Sequence, residues 1–275
     1  MKKKSGPLGR ILMALVFLFL YAPIAVLIVF SFNSTKSRTV WSGFTTKWYA
    51  ELFHDSAILS SLSTTLTVSV LAALIATVLG TCAAIGFFNM RRRWRTPLVT
   101  INNIPMMNAD IDTGVSLCLL FVFAGSILHY ELGFGTLLIA HITFNVPYVI
   151  LSVTPKLRQL DHNLIDAAQD LGCTWTQAFF KVVLPEIMPG IVNGLIIAFT
   201  MSIDDFVISY FTAGSKVQTL SMTIYAMTRK RISPKINAVS TLLFVSVIVL
   251  LIIINIREMH QEEREKKRAK LLKAN

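Results

Sequence analysis

The sequence predicts an all-α membrane protein with six transmembrane helices, and three observations carry that class. Hydrophobic residues make up 54% of the 275 and charged residues only 15%, with a mean hydropathy of +0.62, far from the balance of a water-soluble globule. Six apolar runs, at about 11–32, 62–88, 98–125, 133–154, 187–211 and 238–256, match or approach the ~20 residues that cross hydrocarbon as helix. Lys and Arg are shared unevenly among the segments that join these runs, which is a topology signal.

The first run follows Lys2, Lys3 and Lys4 but is too long for a signal peptide and lacks a small-residue cleavage site, so it reads as a retained helix. With the N-terminus inside, the inner segments hold 18 Lys and Arg against 8 in the outer ones. Both termini are therefore expected in the cytoplasm. The net charge of +11 is mostly this topology signal, and no basic stripe with interleaved aromatics points to nucleic acid. One outer segment runs against the rule. Residues 212–237 carry Lys216, Arg229, Lys230, Arg231 and Lys235, and within them "LSMTIYAMTRKR" reads as an outer amphipathic helix that touches a partner.

Trp48, in the first outer segment, has two readings: an interface anchor, or a cation–π contact for an amine entering a path. Trp94, beside Arg91, Arg92, Arg93 and Arg95, reads as a belt residue. The third run places Asp110 and Asp112 about midway along a span, with Asn102, Asn103 and Asn108 nearby; the fifth places Asp204 and Asp205 in its outer half. Carboxylates in hydrocarbon cost ~2.5–3.5 kcal/mol on insertion scales and tend to face a bundle interior or a water-filled path. Neighbours at i and i+2, or i and i+1, point to different helix faces. Ser202, three residues before Asp205, shares its face.

None of the apolar runs contains Lys or Arg, so a path lined by these acids repels anions and admits cations. A polyammonium substrate supplies the missing countercharge one ammonium at a time and offsets the desolvation of each acid. The competing reading is structural: the aspartates cap helix breaks or bond to Asn and Ser neighbours.

The loop between the fourth and fifth runs contains "DAAQDLGCTWTQAFFKVVLP", residues 166–185. Ala167 and Ala168 favour helix, Gly172 stops it, and Thr174 with Gln177 forms a capping box that starts a second helix. Pro185 and Pro189 are expected to break the chain before it re-enters the bilayer. Trp175, Phe179, Phe180, Val182 and Val183 make that second helix too apolar for a solvated loop, so it packs on its own bundle or on another protein. Cys82, Cys118 and Cys173 lack the spacing of a metal site or a disulfide framework, and His129 and His141 have no ligand-spaced neighbour. There is no phosphate-binding loop, so the chain cannot hydrolyse ATP by itself. Beyond the last run, Glu262 with Lys266 and Glu263 with Lys267 pair at i, i+4, as expected of a solvated helical tail over 257–275.

The loop resembles the EAA loop of the inner-membrane permease subunits of ABC importers. Ala167, Ala168, Gly172, Leu184 and Pro185 fall on the pattern, with Asp166 for its Glu and Val182 for its Ile. Over nearly the whole chain, "FSFNSTKS" (30–37), "GFTTKWY" (43–49), "MSIDDFVISYF" (201–211) and "SPKINAVST" (233–241) resemble the spermidine/putrescine permease subunits of that family. The resemblance implies a type I ABC importer permease fold (MetI-like), one transmembrane domain over 1–275, in the bacterial cytoplasmic membrane, with a cytoplasmic coupling loop at about 156–190. It implies ATPase coupling through Asp166, Ala167, Ala168, Gly172, Leu184 and Pro185. It also implies partners: a homologous second permease, two ATPase subunits that bind the ATP, and an external polyamine-binding protein, with no cofactor or metal on this chain. Another cation or amine importer of the same fold is the nearer alternative; an ion-coupled carrier acting alone is the more distant one.

Overall fold

The computed structural model describes residues 7–35, 40–161, 163–230, 234–249, 252 and 256. The lysine-rich head, Lys36, Ser37, Arg231, Ser233 and the tail 257–275 with its two expected ion pairs lie outside the described residues.

Among the described residues all regular structure is helical apart from one β-bridge, Asn33 to Phe44. The helices are α1 (Pro7–Phe30), α2 (Lys47–Leu52), α3 (Ser56–Asn89), α4 (Arg92–Met107), α5 (Asp110–Leu128), α6 (Phe134–Gln159), α7 (Asn163–Asp170), α8 (Trp175–Ala178), α9 (Leu184–Asp204), α10 (Val207–Thr212), α11 (Leu220–Lys230) and α12 (Pro234–Val249). Among the described residues, five helical stretches are long and apolar enough to span a membrane: α1, α3, α5, α6 and Trp175–Asp204. The shorter apolar α12 falls on the sixth apolar run of the sequence.

The boundaries correct three expectations. The run 98–125 is not one span: α4 ends at Met107, Asn108 and Ala109 are extended, and a new helix starts at Asp110. Pro105 removes a helical donor just before this break. Asp110 and Asp112 therefore occupy the first turn of the third span rather than its middle, where the positive end of the helix dipole favours carboxylates. The run 187–211 is likewise broken, at Asp205 and Phe206. Pro185 and Pro189, in contrast, break nothing, because Trp175–Asp204 is helical throughout. The chain adapts just upstream with a π-helical turn, Phe179–Val183, in which the Leu184 N–H reaches back five residues to the Phe179 carbonyl.

Two compact units are distinguished. The first comprises residues 1–59 and 224–275. Its α1 is apolar on every side and exposed along its length, as suits a lipid- or partner-facing helix. The turn after α1 is organised by Asn33. Its side chain donates to the Val40 carbonyl (2.8 Å) and accepts from the Ser42 amide (3.0 Å), and its own carbonyl accepts from Trp48 Nε1 at 2.7 Å. Phe32 stacks on Phe44 and meets Tyr49 at a tilt, each at 5.1 Å. Lys235 reaches Asp55 at 2.6 Å.

The second unit, residues 60–223, carries the polar features of the membrane interior. Its main core joins α3, α6 and α9 through Ala73, Val149, Val153, Leu157, Ile187 and Ala198. Lipid gives helices no hydrophobic reason to associate, so contact rests on close packing at small residues. Gly80 and Gly194 show the fit: a Cβ at Gly80 would sit 2.7 Å from the Val149 side chain, and one at Gly194 would lie 3.2 Å from it. A second cluster, Phe121, Ala140, Phe144 and Ile208, seats α10 against α5 and α6.

Candidate functional site

The four intramembrane aspartates gather at the two helix breaks. Asp110 and Asp112 are exposed on the first turn of α5, and the half-buried ring of Tyr148 on α6 lies within electrostatic reach of Asp110. One turn on, Gly114 packs against Ile208 and Phe211 of α10, so the start of α5 adjoins the short helix that follows the other break.

At that second break, adjacent aspartates have opposite fates. Asp204 ends α9 and is exposed. Asp205 turns inward, with only 7% of its side chain exposed. Its carboxylate accepts from the amides of Ile208 (3.2 Å) and Ser209 (2.7 Å) and from the Ser209 hydroxyl (2.8 Å), capping α10. This is how a spanning helix can be interrupted in a membrane: the amides freed by the break find a partner inside the protein.

His141 completes the arrangement from α6, with 1% of its surface exposed. Its Nδ1 lies 2.6 Å from Ser202 Oγ, and its Nε2 lies 3.0 Å from Ser209 Oγ and 3.5 Å from Asp205 Oδ2. The Ser209 hydroxyl donates to the Asp205 carboxylate, so its oxygen accepts from Nε2–H; with the imidazole neutral, Nδ1 then accepts the Ser202 proton. The result is a chain of hydrogen bonds, Ser202 to His141 to Ser209 to Asp205. Ser202, expected beside a path, is instead buried within this chain.

Trp48 is 6% exposed, and its indole N–H is committed to the Asn33 carbonyl. Its role in the described structure is to hold the turn after α1.

The loop between α6 and α9 folds as its spacing predicts. Gly172 has φ +84° and terminates α7, donating to the Gln169 carbonyl, while Cys173 donates to that of Ala168. Thr174 and Gln177 form the reciprocal cap of α8. Asp166 and Ala167 are exposed and Ala168 is buried, while Leu184 and Pro185 join α9 to the π-turn. Phe179 and Val183 pack on the bundle. Trp175 stacks on Phe179 at 6.0 Å yet remains 63% exposed, and Phe180 and Leu171 are 64% and 86% exposed.

The basic segment 212–237 is partly neutralised by acids within each unit. Lys216 meets Glu131 at 2.6 Å, and Lys235 meets Asp55. The Lys216 ammonium holds Glu131 below the usual carboxylate range, and Glu131 raises Lys216 in return. The hydrogen bond from Lys235 lowers Asp55, with partial burial opposing it. Arg229 lies over the Tyr225 ring at 4.9 Å. These pairings give the excess of positive charge a physical account that charge counting alone did not provide.

Sequence reasoning missed His141 and Ser209. A signal for the break was available: Asp205 followed by an apolar helical turn is an N-cap pattern inside an apolar run. Nothing local could show that a histidine 61 residues before Ser202 closes the same cluster.

Residues 76–264 match the family model described as binding-protein-dependent transport system inner membrane component. The putrescine transport system permease protein PotI of Escherichia coli K12 is 39% identical over 241 residues, covering 86% of each chain. The spermidine/putrescine transport system permease protein PotC of the same strain is 36% identical over 249 residues, covering 89% of this chain and 93% of its own. Among solved structures, a bacterial ABC transporter that imports the acidic polysaccharide alginate aligns with a TM-score of 0.68 at 14% identity, over 90% of this chain and 94% of that one. The inward-facing MetNI methionine ABC transporter aligns at 0.56 and 18% identity, over 82% and 99%.

Proposed function

The chain belongs to the binding-protein-dependent transport inner-membrane components, and from that premise we propose that it is the permease of an ATP-driven polyamine importer, taking putrescine, spermidine or both. The observation that carries this reading is the joint occurrence of polyamine-permease relatives over nearly the full length and three exposed carboxylates at helix breaks within apolar runs that lack Lys and Arg.

The chemistry at the second break suits an ammonium group. The last carbonyls of α9 have no partner further along their own helix, and the helix dipole places about half a negative charge there. Asp204, exposed on the same terminus, adds a full charge. Interrupted membrane helices whose C-terminal ends hold cations are a recurring transporter device. Asp110 and Asp112 provide further carboxylates spaced along the path, fitting a substrate that carries several ammoniums separated by methylenes. In this reading Asp110, Asp112 and Asp204 meet the substrate, Asp205 and Ser202 act from behind, and Trp48 shapes the outer turn.

The energy comes from ATPase subunits docked on the inner loop, with Asp166, Ala167 and Gly172 on the docking side and Leu171, Trp175 and Phe180 supplying apolar contact. A second, homologous permease and an external polyamine-binding protein complete the assembly. The unbroken helix Trp175–Asp204 spans 30 residues, about 45 Å at 1.5 Å per residue. Movement of the loop is thereby passed along a single rod to the break that bears Asp204. Both termini lie in the cytoplasm.

The test is uptake of labelled putrescine and spermidine into proteoliposomes holding the full complex. ATP-dependent accumulation of either is the expected result. Uptake of another amine alone would move the substrate assignment, and uptake by the isolated chain under an ion gradient would defeat the importer reading.

A further inference from the structure

We propose that His141 is a positioning residue for this transporter: it clasps the α9–α10 break from α6 and so fixes the direction in which Asp204 presents its carboxylate. The inference rests on the reading of Asp204 as a cation-binding group and extends it to a residue without a motif of its own.

His141 touches each part of the interrupted helix. Ser202 lies on α9, Asp205 in the break and Ser209 on α10, all within 3.5 Å of the two ring nitrogens. The carboxylate of Asp205 is closed off from solvent, and such a charge persists only where hydrogen bonds replace its water. Two backbone amides and the Ser209 hydroxyl do this directly. His141 orients that hydroxyl by occupying its acceptor side, and holds Ser202 one turn before the break. If the imidazole is removed, Ser209 is free to rotate away from Asp205, and nothing from α6 then ties the end of α9 to the start of α10 through this cluster. Asp204 is covalently next to Asp205, so rotation at the break swings its carboxylate directly.

A fully bonded histidine that only fills the core would also be buried. What separates the two roles is coupling to Asp204. The experiment is a double-mutant cycle in the reconstituted complex, measuring the putrescine concentration for half-maximal uptake in the parent and in His141→Ala, Asp204→Asn and the double variant. Each single change is expected to raise that concentration about ten-fold, and His141→Ala in the Asp204→Asn background to add less than about two-fold, because coupled residues are non-additive. His141→Gln, whose amide can both donate and accept, should recover a substantial part of the loss.

A second arm needs no substrate. In a chain with Cys82, Cys118 and Cys173 replaced by Ala, Asp204→Cys is labelled with a cationic thiol reagent with and without His141→Ala. The expected result is a change of about five-fold or more in labelling rate, read on assembled complex. Additive effects in the cycle, or an unchanged labelling rate, would overturn the proposal. If the parent complex takes up no polyamine, the substrate reading fails and the labelling arm alone decides the role of His141. If His141→Ala fails to assemble, His141→Leu, which fills the site without hydrogen-bonding, is carried through both arms, and additivity or an unaltered rate there overturns it equally.

Discussion

The two ends of the helical rod Trp175–Asp204 solve opposite problems. At the loop end, the π-turn and the capping box leave Trp175, Phe180 and Leu171 largely exposed, although Trp175 also stacks on Phe179. At the membrane end, Asp205, His141, Ser202 and Ser209 bond to one another, and Asp204 is left exposed. A docking end keeps its apolar groups available to a partner; at the substrate end, burying Asp205 in hydrocarbon requires partners inside the protein, and Asp204 stays exposed. The difference predicts that changes at the first end act on ATPase association, and changes at the second on substrate affinity.

The largest effect is expected from Gly172→Pro. Proline fixes φ near −65° where Gly172 has +84°, and it removes the amide that donates to Gln169, a combination costing ~3 kcal/mol or more. Co-purification of the ATPase should be lost and ATP-driven uptake should fall to background. Retained association together with normal uptake would remove the loop from the coupling role. Next comes Asp204→Asn, expected to raise half-saturating polyamine about ten-fold, or ~1.4 kcal/mol, with assembly and ATPase association unchanged. Equal uptake curves for parent and variant would return Asp204 to a purely structural role.

The loop end was legible in the sequence and the substrate end only in part, for a physical reason. Caps, positive-φ glycines and helix starts are local, so Gly172, Thr174 and Gln177 announce their geometry within a few residues. The acids at the other end announce only their cost. Whether each is a ligand or a cap depends on groups supplied by other helices, and Asp204 and Asp205 divide between the two roles although they are adjacent. The six-run topology was readable because bilayer thickness imposes length. The breaks at Asn108–Ala109 and Asp205–Phe206 were not readable from hydropathy, which averages across them; at the second, only the N-cap pattern of Asp205 carried the signal. Pro185 and Pro189 misled in the other direction: the π-turn upstream absorbs the backbone change that proline imposes.

Phe180→Ala separates the ends more finely. The ring is mostly exposed and touches Phe179 edge-on at 5.3 Å, so its removal should change stability by no more than ~0.5 kcal/mol. ATPase affinity should fall several-fold while half-saturating polyamine stays constant once the complex is formed. A titration of ATPase subunits against proteoliposome-bound permease reads the first quantity and uptake at saturating ATPase reads the second. A shift in polyamine affinity at saturating ATPase would mean that the two ends are not functionally separate.

The smallest effect is expected from a pair that belongs to neither end. Asp55 and Lys235 form a part-exposed ion pair in the first unit, and such pairs contribute about 0–1 kcal/mol. The folded state holds Asp55 below its ordinary range, so the stabilisation is fully present above the unfolded-state value and is lost as pH falls through the lowered folded-state value. Asp55→Asn should therefore cost up to ~1 kcal/mol at neutral pH and nothing once the pH is well below ~4, where the parent carboxylate is also protonated. Thermal unfolding of purified chain across that range measures it. Because the pair belongs to the first unit and the docking face and the break to the second, ATPase association and polyamine half-saturation should both equal those of the parent. A change in either would show that the ends of the rod are not the only places where coupling and affinity are set.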